Sequence, residues 1–321
     1  MFLDVGNGHK LFYEIVGSPE GKPIVVLHGG PGAATSAYRD SLLSIFDLRK
    51  WRILLWDQRG CGRSKASKDP RAHNTTWDLV ADMERLRSEV MGVDRWTLFG
   101  GSWGTTLALA YVSKHLDHVA GLLLRGVSLL APWENEWLYG PAGVARLFPE
   151  EYAAFSSGGP PDTRSGERVG ELVDPHSSQS MLRRYSRLLA SKNRATRRAA
   201  ANRWTDWESS ISSLRGAKKS GNTRQTTRSK AATATLETHY FSHNAWVTAA
   251  SLLAAARRIP ATVPVLIVQG RYDMVCPPSA AITLAKAVPH ARIRLTVAGH
   301  TWSDPENKEG LKAALALLST L

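Results

Sequence analysis

The sequence predicts an α/β fold: a mostly parallel central sheet with helices on both faces, interrupted by a long helical insertion. Three observations carry this. Short apolar or β-branched runs alternate with helical patterns over residues 1–131, the alternation stops over 132–246, and it resumes with VPVLIVQG at 263–270. The expected organisation is therefore 1–131 as the first part of a core, 132–246 as a helical cap, and 247–321 as the second part of the core.

The elements follow in order. KLFYEIV (10–16), PIVVLHG (23–29), RILLWDQ (52–58), RWTLFGG (95–101) and GLLLRGV (121–127) have the length and the aliphatic and aromatic content of buried strands. Within the insertion, RRYSRLLASKNRATRRAAANRW reads as helix, RGAKKSGNTRQTTRSK as a mobile loop, and SSGGPPD as a turn or linker. After the strand at 263–270 come a helix SAAITLAKAV (279–288), a strand ARIRLTV (291–297) and a last helix from about Asn307. The sequence shows no internal repeat and no strongly low-complexity segment.

At 321 residues and 43% hydrophobic, the chain can bury a large core without cross-links. Cys61 and Cys276 are its only cysteines and stand far apart in sequence, which excludes a disulfide framework and a paired-thiolate zinc site and points to a reducing cytoplasm. The start, MFLDVGNGHKLFYEIVG, lacks a basic-then-apolar signal pattern. No uncharged apolar run reaches the ~18 residues of a membrane span, so a soluble protein without a membrane partner is expected.

The net charge of +13 is local. Residues 183–230 hold 14 Lys or Arg against two acids, Asp206 and Glu208, leaving 27 basic and 26 acidic residues elsewhere. Such runs are ordinarily solvated surface. No aromatic-interleaved or zinc-finger pattern accompanies this one, so no nucleic-acid partner is expected; a weak attraction for anions is the more modest alternative.

FGGSWGTTLALAY sets Gly100, Ser102 and Gly104 in a G-x-S-x-G pattern directly after a strand and before a helix. Small flanking residues let the chain make a strained turn that lifts Ser102 Oγ above the sheet edge, and the helix N-terminus favours developing negative charge. A serine needs a base oriented by a third group, and in strand-turn-helix hydrolases the order is serine, acid, histidine. VQGRYDMVCP puts Asp273, and VAGHTW puts His300, just past successive strands at the edge where parallel sheets collect catalytic groups. Asp273 would hold the tautomer of His300, which would take the proton from Ser102. HGGPG (28–32) offers backbone donors for an oxyanion hole together with the Trp103 amide. Pro31 has no N–H, so the second donor is assigned to Gly30, with Gly29 as the alternative. In WDQRGCGRS (56–64), Asp57 and Arg59 read as buried polar braces of the site floor.

LETHYFSHNAW (236–246) packs a carboxylate, two histidines and three aromatics together, a composition compatible with catalysis, metal binding or packing. His239 and His243 could share a helix face as a metal pair, but no H-E-x-x-H setting and no third ligand accompany them, so no metal is expected and His239 reads as packing.

HGGPG, DQRGCGRS, NTTWDLVADMERLR, GGSWGTTLALAY, LRGVSLL, GRYDMVCP and the Gly-His of AGHTW together resemble the proline iminopeptidases (prolyl aminopeptidases) of the α/β-hydrolase superfamily. The resemblance runs from DVGNGHKLFYE to the last helix and is weakest in the cap. It implies the α/β-hydrolase fold with an inserted helical cap domain. The implied activity is a serine exopeptidase, without metal or cofactor, that releases an N-terminal residue, preferably proline, from small peptides, arylamides or amides through a serine acyl-enzyme. It also implies that two cap glutamates grip the free α-amino group. RWTDWESS supplies Glu208 and LETHYF supplies Glu237. Paired carboxylates would admit a charged ammonium, and a blocked substrate would leave buried anions unpaired. Trp103, Tyr139 and Phe241 could line a pocket for the proline ring or be plain core.

The chain departs from that pattern at several places. Ser128 stands where the family has a phenylalanine soon after LRG, ETHYF replaces ENHYF, HTWSD replaces an H-S-A-F-like run, and the segment between the two glutamates is strongly basic. The alternative is a broader aminopeptidase, amino-acid amidase or esterase using the same triad.

Overall fold

The computed structural model describes residues 1–157, 177–214 and 227–321. Eight strands form one sheet: β1 (Phe2–Gly6), β2 (His9–Gly17), β3 (Lys22–Leu27), β4 (Trp51–Trp56), β5 (Trp96–Gly101), β6 (Val119–Arg125), β7 (Val265–Gly270) and β8 (Arg292–Thr296), in the order β1-β2-β4-β3-β5-β6-β7-β8. β2 pairs antiparallel with β1 and β4, and every other pairing is parallel.

Before the cap run α1 (Arg39–Leu43), α2 (Thr76–Arg85) and α3 (Trp103–His115). Between β6 and β7 come α4 (Pro132–Tyr139), α5 (Pro149–Ser156), α6 (Ser178–Leu189), α7 (Arg194–Ser212), α8 (Thr227–Ser242) and α9 (Ala249–Arg257), and the last two helices are α10 (Pro278–Ala287) and α11 (Pro305–Leu318).

The inner strands are predominantly apolar because both faces are covered. Alternate residues divide between two cores: Val25, Leu27, Leu98 and Leu122 join the cluster under α2, α3 and α9, while Ile24, Val26, Phe99 and Leu123 join Leu311, Leu315 and Leu318 of α11. Above the sheet, the insertion packs on its own aromatics. Phe155 stacks on Tyr185 at 4.8 Å and Tyr139 lies 4.6 Å from Trp204. Among the described residues no helix is long and apolar enough to cross a membrane.

Several readings need correction. β1 was not anticipated; it is a short edge strand whose alternating exposure gives no apolar run. The stretch read as one helix at 183–204 is two, α6 and α7, because Asn193 Oδ1 accepts the amides of Ala195 and Thr196 at 2.8 and 3.3 Å and starts a new helix. Helix α8 begins at Thr227, so residues 227–230 of the expected loop are helical; 215–226 lie outside the described residues, as do 158–162 of SSGGPPD.

Candidate active site

Ser102 sits between β5 and α3 at φ 57°, ψ −127°, a strained conformation for a residue with a side chain. The two glycines of the motif make it possible. A Cβ on Gly100 would lie 2.3 Å from the Gly104 carbonyl oxygen, and one on Gly104 would lie 2.0 Å from the Leu27 carbonyl oxygen. The turn is pinned by Ser102 N–H donating to the Arg125 carbonyl at 2.8 Å and by the Thr105 amide and hydroxyl donating to the Ser102 carbonyl.

Asp273 follows β7 and His300 follows β8. Nδ1 of His300 stands 2.9 Å from Asp273 Oδ2 and 3.0 Å from Oδ1. Asp273 is buried and held from behind: its Oδ1 accepts the Val275 and Cys276 amides at 3.0 and 2.7 Å, and its Oδ2 accepts Gln269 Nε2 at 3.2 Å. A buried anion with this many donors is compensated in place. No hydrogen bond joins His300 Nε2 to Ser102 Oγ. Nε2 instead stands 3.3 Å from Arg125 Nη1, and that guanidinium also donates to the His300 carbonyl at 2.7 Å. Ser102 Oγ has Cys276 Sγ at 4.0 Å; burial and the nearby Asp273 charge push that thiol up, so it stays protonated. Such geometry is common before substrate arrives, when catalytic hydrogen bonds have yet to tighten.

Ser102, Trp103, His300, Gly29, Gly30 and both glutamates line one cavity of about 340 Å³. Gly29 lies directly against the serine, a Cβ there falling 3.2 Å from Ser102 Cβ, whereas Gly30, at φ 104°, folds onto Gly32 and Ala33. The Trp103 N–H opens α3 and has no intrahelical acceptor. Its indole donates to Gln58 Oε1 at 3.0 Å. His28 ties the two loops together, its Nε2 accepting the Gln58 amide at 2.9 Å; burial holds it neutral by lowering its pKa. Asp57 accepts Ser36 N, Ser36 Oγ and Arg63 N, and Arg59 grips Asp82 through two bonds of 2.6 and 2.7 Å, so both are structural struts.

Glu208 on α7 and Glu237 on α8 reach the same cavity. Tyr139 OH donates to Glu208 Oε1 at 2.8 Å, and Trp204 Nε1 donates to Glu237 Oε2 at 2.5 Å. Burial raises the Glu208 carboxyl to about 7. Burial, and then the charge of Glu208, raise Glu237 well above the usual carboxylate range. Glu237 is buried and Glu208 half-buried; beyond Tyr139, Trp204 and a proton held between the two carboxyls, the pair retains acceptor capacity for a cation. A third acid, Glu134, is spent on structure: it accepts Ser128 Oγ at 2.9 Å and the amides of Leu129 and Ala131 at the start of α4. Tyr139 and Phe241 line the cavity with ring centroids 5.9 Å apart. His239 faces away, its Nε2 3.2 Å from the Asn74 carbonyl, and its ring is 5.0 Å from His243.

Arg125, Cys276 and Trp204 belong to this constellation and were not singled out from sequence. An arginine ending an apolar strand in LLLR was a usable signal for the first, and Trp204, one turn before Glu208, for the last.

A family model described as alpha/beta hydrolase fold matches residues 22–303. A proline iminopeptidase of Xylella fastidiosa is 41% identical over 314 residues, covering 97% of this chain and 94% of that protein. One from Neisseria meningitidis is 36% identical, covering 98% and 94%, and one from Arabidopsis thaliana is 38% identical, covering 98% and 77%. Among solved structures, an alpha/beta hydrolase enzyme from a Medee basin deep-sea metagenome library matches with TM-score 0.66 at 14% identity, covering 100% of this chain and 98% of that one. A thermophilic esterase from Thermogutta terrifontis matches at 0.64 and 18% identity, covering 96% and 92%; at these identities the likeness is one of fold.

Proposed function

The chain belongs to the proline iminopeptidases, serine exopeptidases of the α/β-hydrolase fold, and from that premise we propose that Ser102, His300 and Asp273 are its catalytic triad and Glu208 and Glu237 its clamp for the substrate ammonium. The observation that carries this is the presence of two carboxylates with free acceptor capacity, Glu237 buried and Glu208 half-buried, in the cavity that holds Ser102.

The substrate's N-terminal ammonium enters between Glu208 and Glu237, displacing the proton that the empty pair retains. Its side chain lies against Tyr139 and Phe241. This sets the first carbonyl over Ser102 and leaves no room for a preceding residue. His300 Nε2 turns from Arg125 to Ser102 Oγ, takes its proton, and Oγ attacks the carbonyl carbon. The oxyanion is held by the Trp103 amide and an amide of the Gly29–Gly30 segment. Collapse passes the proton from His300 to the leaving amine and leaves the acyl group on Ser102. Water, deprotonated by His300, then releases the free amino acid and restores Ser102.

The substrate is a small peptide, arylamide or amide with a free N-terminal amine, proline preferred, cleaved without metal or cofactor. The isolated, free Cys61 and Cys276 support a cytoplasmic site of action. A second reading, a broader aminopeptidase, amino-acid amidase or esterase, is favoured by Ser128, whose small hydroxyl is turned to Glu134 where an aromatic wall would narrow the cavity. A panel of prolyl, alanyl and N-acetyl-prolyl arylamides with a short p-nitrophenyl ester separates the readings. Prolyl preference with no turnover of the acetylated compound supports the first, and equal turnover of all four overturns it.

A further inference from the structure

A second, larger cavity of about 1280 Å³ opens on the outer side of the cap, between α6, α7, α8 and the loop at 68–71. Its described lining includes Lys68, Arg183, Arg187, Arg194, Arg198 and Arg228, with Asp69 as its one acidic residue. Arg71, also in the lining, is matched to that aspartate. Several arginines outside the groove are balanced by acids: Arg39 pairs with Glu14, Arg59 with Asp82, Arg85 with Glu89 and Arg87 with Glu84. The six cations named first have no carboxylate partner among the described residues.

This arrangement works against the stability of the empty protein. Arg183 and Arg187, and again Arg194 and Arg198, sit at i,i+4 spacing, where like charges repel and an acid would attract. A concave wall between packed helices focuses the combined potential instead of letting it spread into solvent. The unfavourable term is relieved by a ligand that brings concentrated negative charge.

We propose that this groove is a binding site for a compact polyphosphate anion, a run of linked phosphate groups. Guanidinium forks match phosphate oxygens in paired hydrogen bonds, and linked phosphates carry more charge per unit volume than an acidic peptide, which suits six cations in one cavity. Nucleic acid is disfavoured because strand-binding grooves supply aromatic rings on which bases stack. No Phe, Tyr or Trp is in the described lining, and His243 is already stacked on Trp246 at 5.1 Å.

The site is separate from the chemistry yet shares a wall with it. Thr233, Glu237 and Phe241 of α8 face the active-site cavity, while Thr235, Thr238 and His239 face the groove.

The test is calorimetric titration of the Ser102→Ala protein, so that the outcome is independent of the peptidase reading. Tripolyphosphate should bind one to one, with Kd on the order of 10 µM at about 50 mM salt, weakening at least tenfold by about 200 mM. R187E/R198E should weaken it by at least about thirtyfold, and R187Q/R198Q serves if the reversal disturbs folding; R49E, remote from the groove, should leave it unchanged. Equal affinity for a nucleoside triphosphate identifies the phosphate chain alone as the recognised group, and tighter nucleotide binding adds the nucleoside; both support the site. Absence of saturation, indifference to the groove substitutions, equal affinity for orthophosphate, or tighter binding of hexaglutamate or of an oligonucleotide of about twenty bases overturns the proposal.

Discussion

Trp204 on α7 donates its indole N–H to Glu237 on α8 across 2.5 Å, so that the only side-chain donor to this carboxylate, among the described residues, comes from the neighbouring helix that also carries Glu208. The bond counteracts the burial that raises Glu237. Trp204→Phe keeps most of the ring and removes the donor. It should raise KM for prolyl arylamides about tenfold and move the rising limb of the pH profile to higher pH, with little effect on kcat. An unchanged limb would separate Trp204 from the clamp.

Glu208→Gln and Glu237→Gln should each raise KM for free-amine substrates by about ten- to a hundredfold, since a buried ammonium loses an ionic partner worth a few kcal/mol. Hydrolysis of a simple ester, which has no ammonium to place, should fall much less. Equal losses on both substrate types would refute amine recognition by these residues.

The same pair sets a pH dependence with a definite sign. Glu208 is raised to about 7 from an ordinary value of 4.5. The folded protein therefore holds a proton that the unfolded chain has released. Stability is fully present below about 4.5 and is lost as pH rises through about 7. Removing the carboxyl should recover this, so the melting temperature of E208Q should match that of the parent near pH 4.5 and exceed it at pH 8, by up to about 3 kcal/mol of stability. Conversely, kcat/KM for free-amine substrates should climb through pH 7 as the clamp ionises. A melting-temperature series against pH and a kinetic profile check the two halves separately.

Gly104→Ala should be severely damaging. The added carbon would meet the Leu27 carbonyl oxygen at 2.0 Å, backbone against backbone, and neither strand nor helix can yield. We expect a loss above about 3 kcal/mol or an insoluble product, read by chemical denaturation and expression yield.

Ser102→Ala should lower kcat by more than about a thousandfold and abolish labelling by a fluorophosphonate, while Asp273→Asn should cost about 10⁴ by fixing the wrong tautomer of His300. Retention of more than a thousandth of the parent activity in Ser102→Ala would displace it as nucleophile.

Much of this site was legible in the chain because its rules are local. Glycines spaced around a serine after an apolar run can satisfy only a cramped strand-to-helix turn, and residues just past successive parallel strands must emerge at one edge. Arg125 was not legible, because a lone arginine ending a strand does not say what its guanidinium will reach. The break at 190–193 was hidden for another reason: helix formers flank it without Gly or Pro, and Asn193 shows itself as a cap only when its acceptor is seen against the next amides. The glutamates depended on resemblance, since nothing in their own spacing reveals that α7 and α8 bring them together.

Helix α8 has no idle side. From Ala231 to Phe241 none of its residues is exposed, and one flank looks into the peptidase cavity while the other looks into the basic groove. Sliding or rotating it to suit one chamber would misplace the side chains of the other. A change of substrate preference should therefore be easier to engineer at Ser128 and α4, which line only the active-site cavity, than on α8. The two cavities thus share α8 as a single partition.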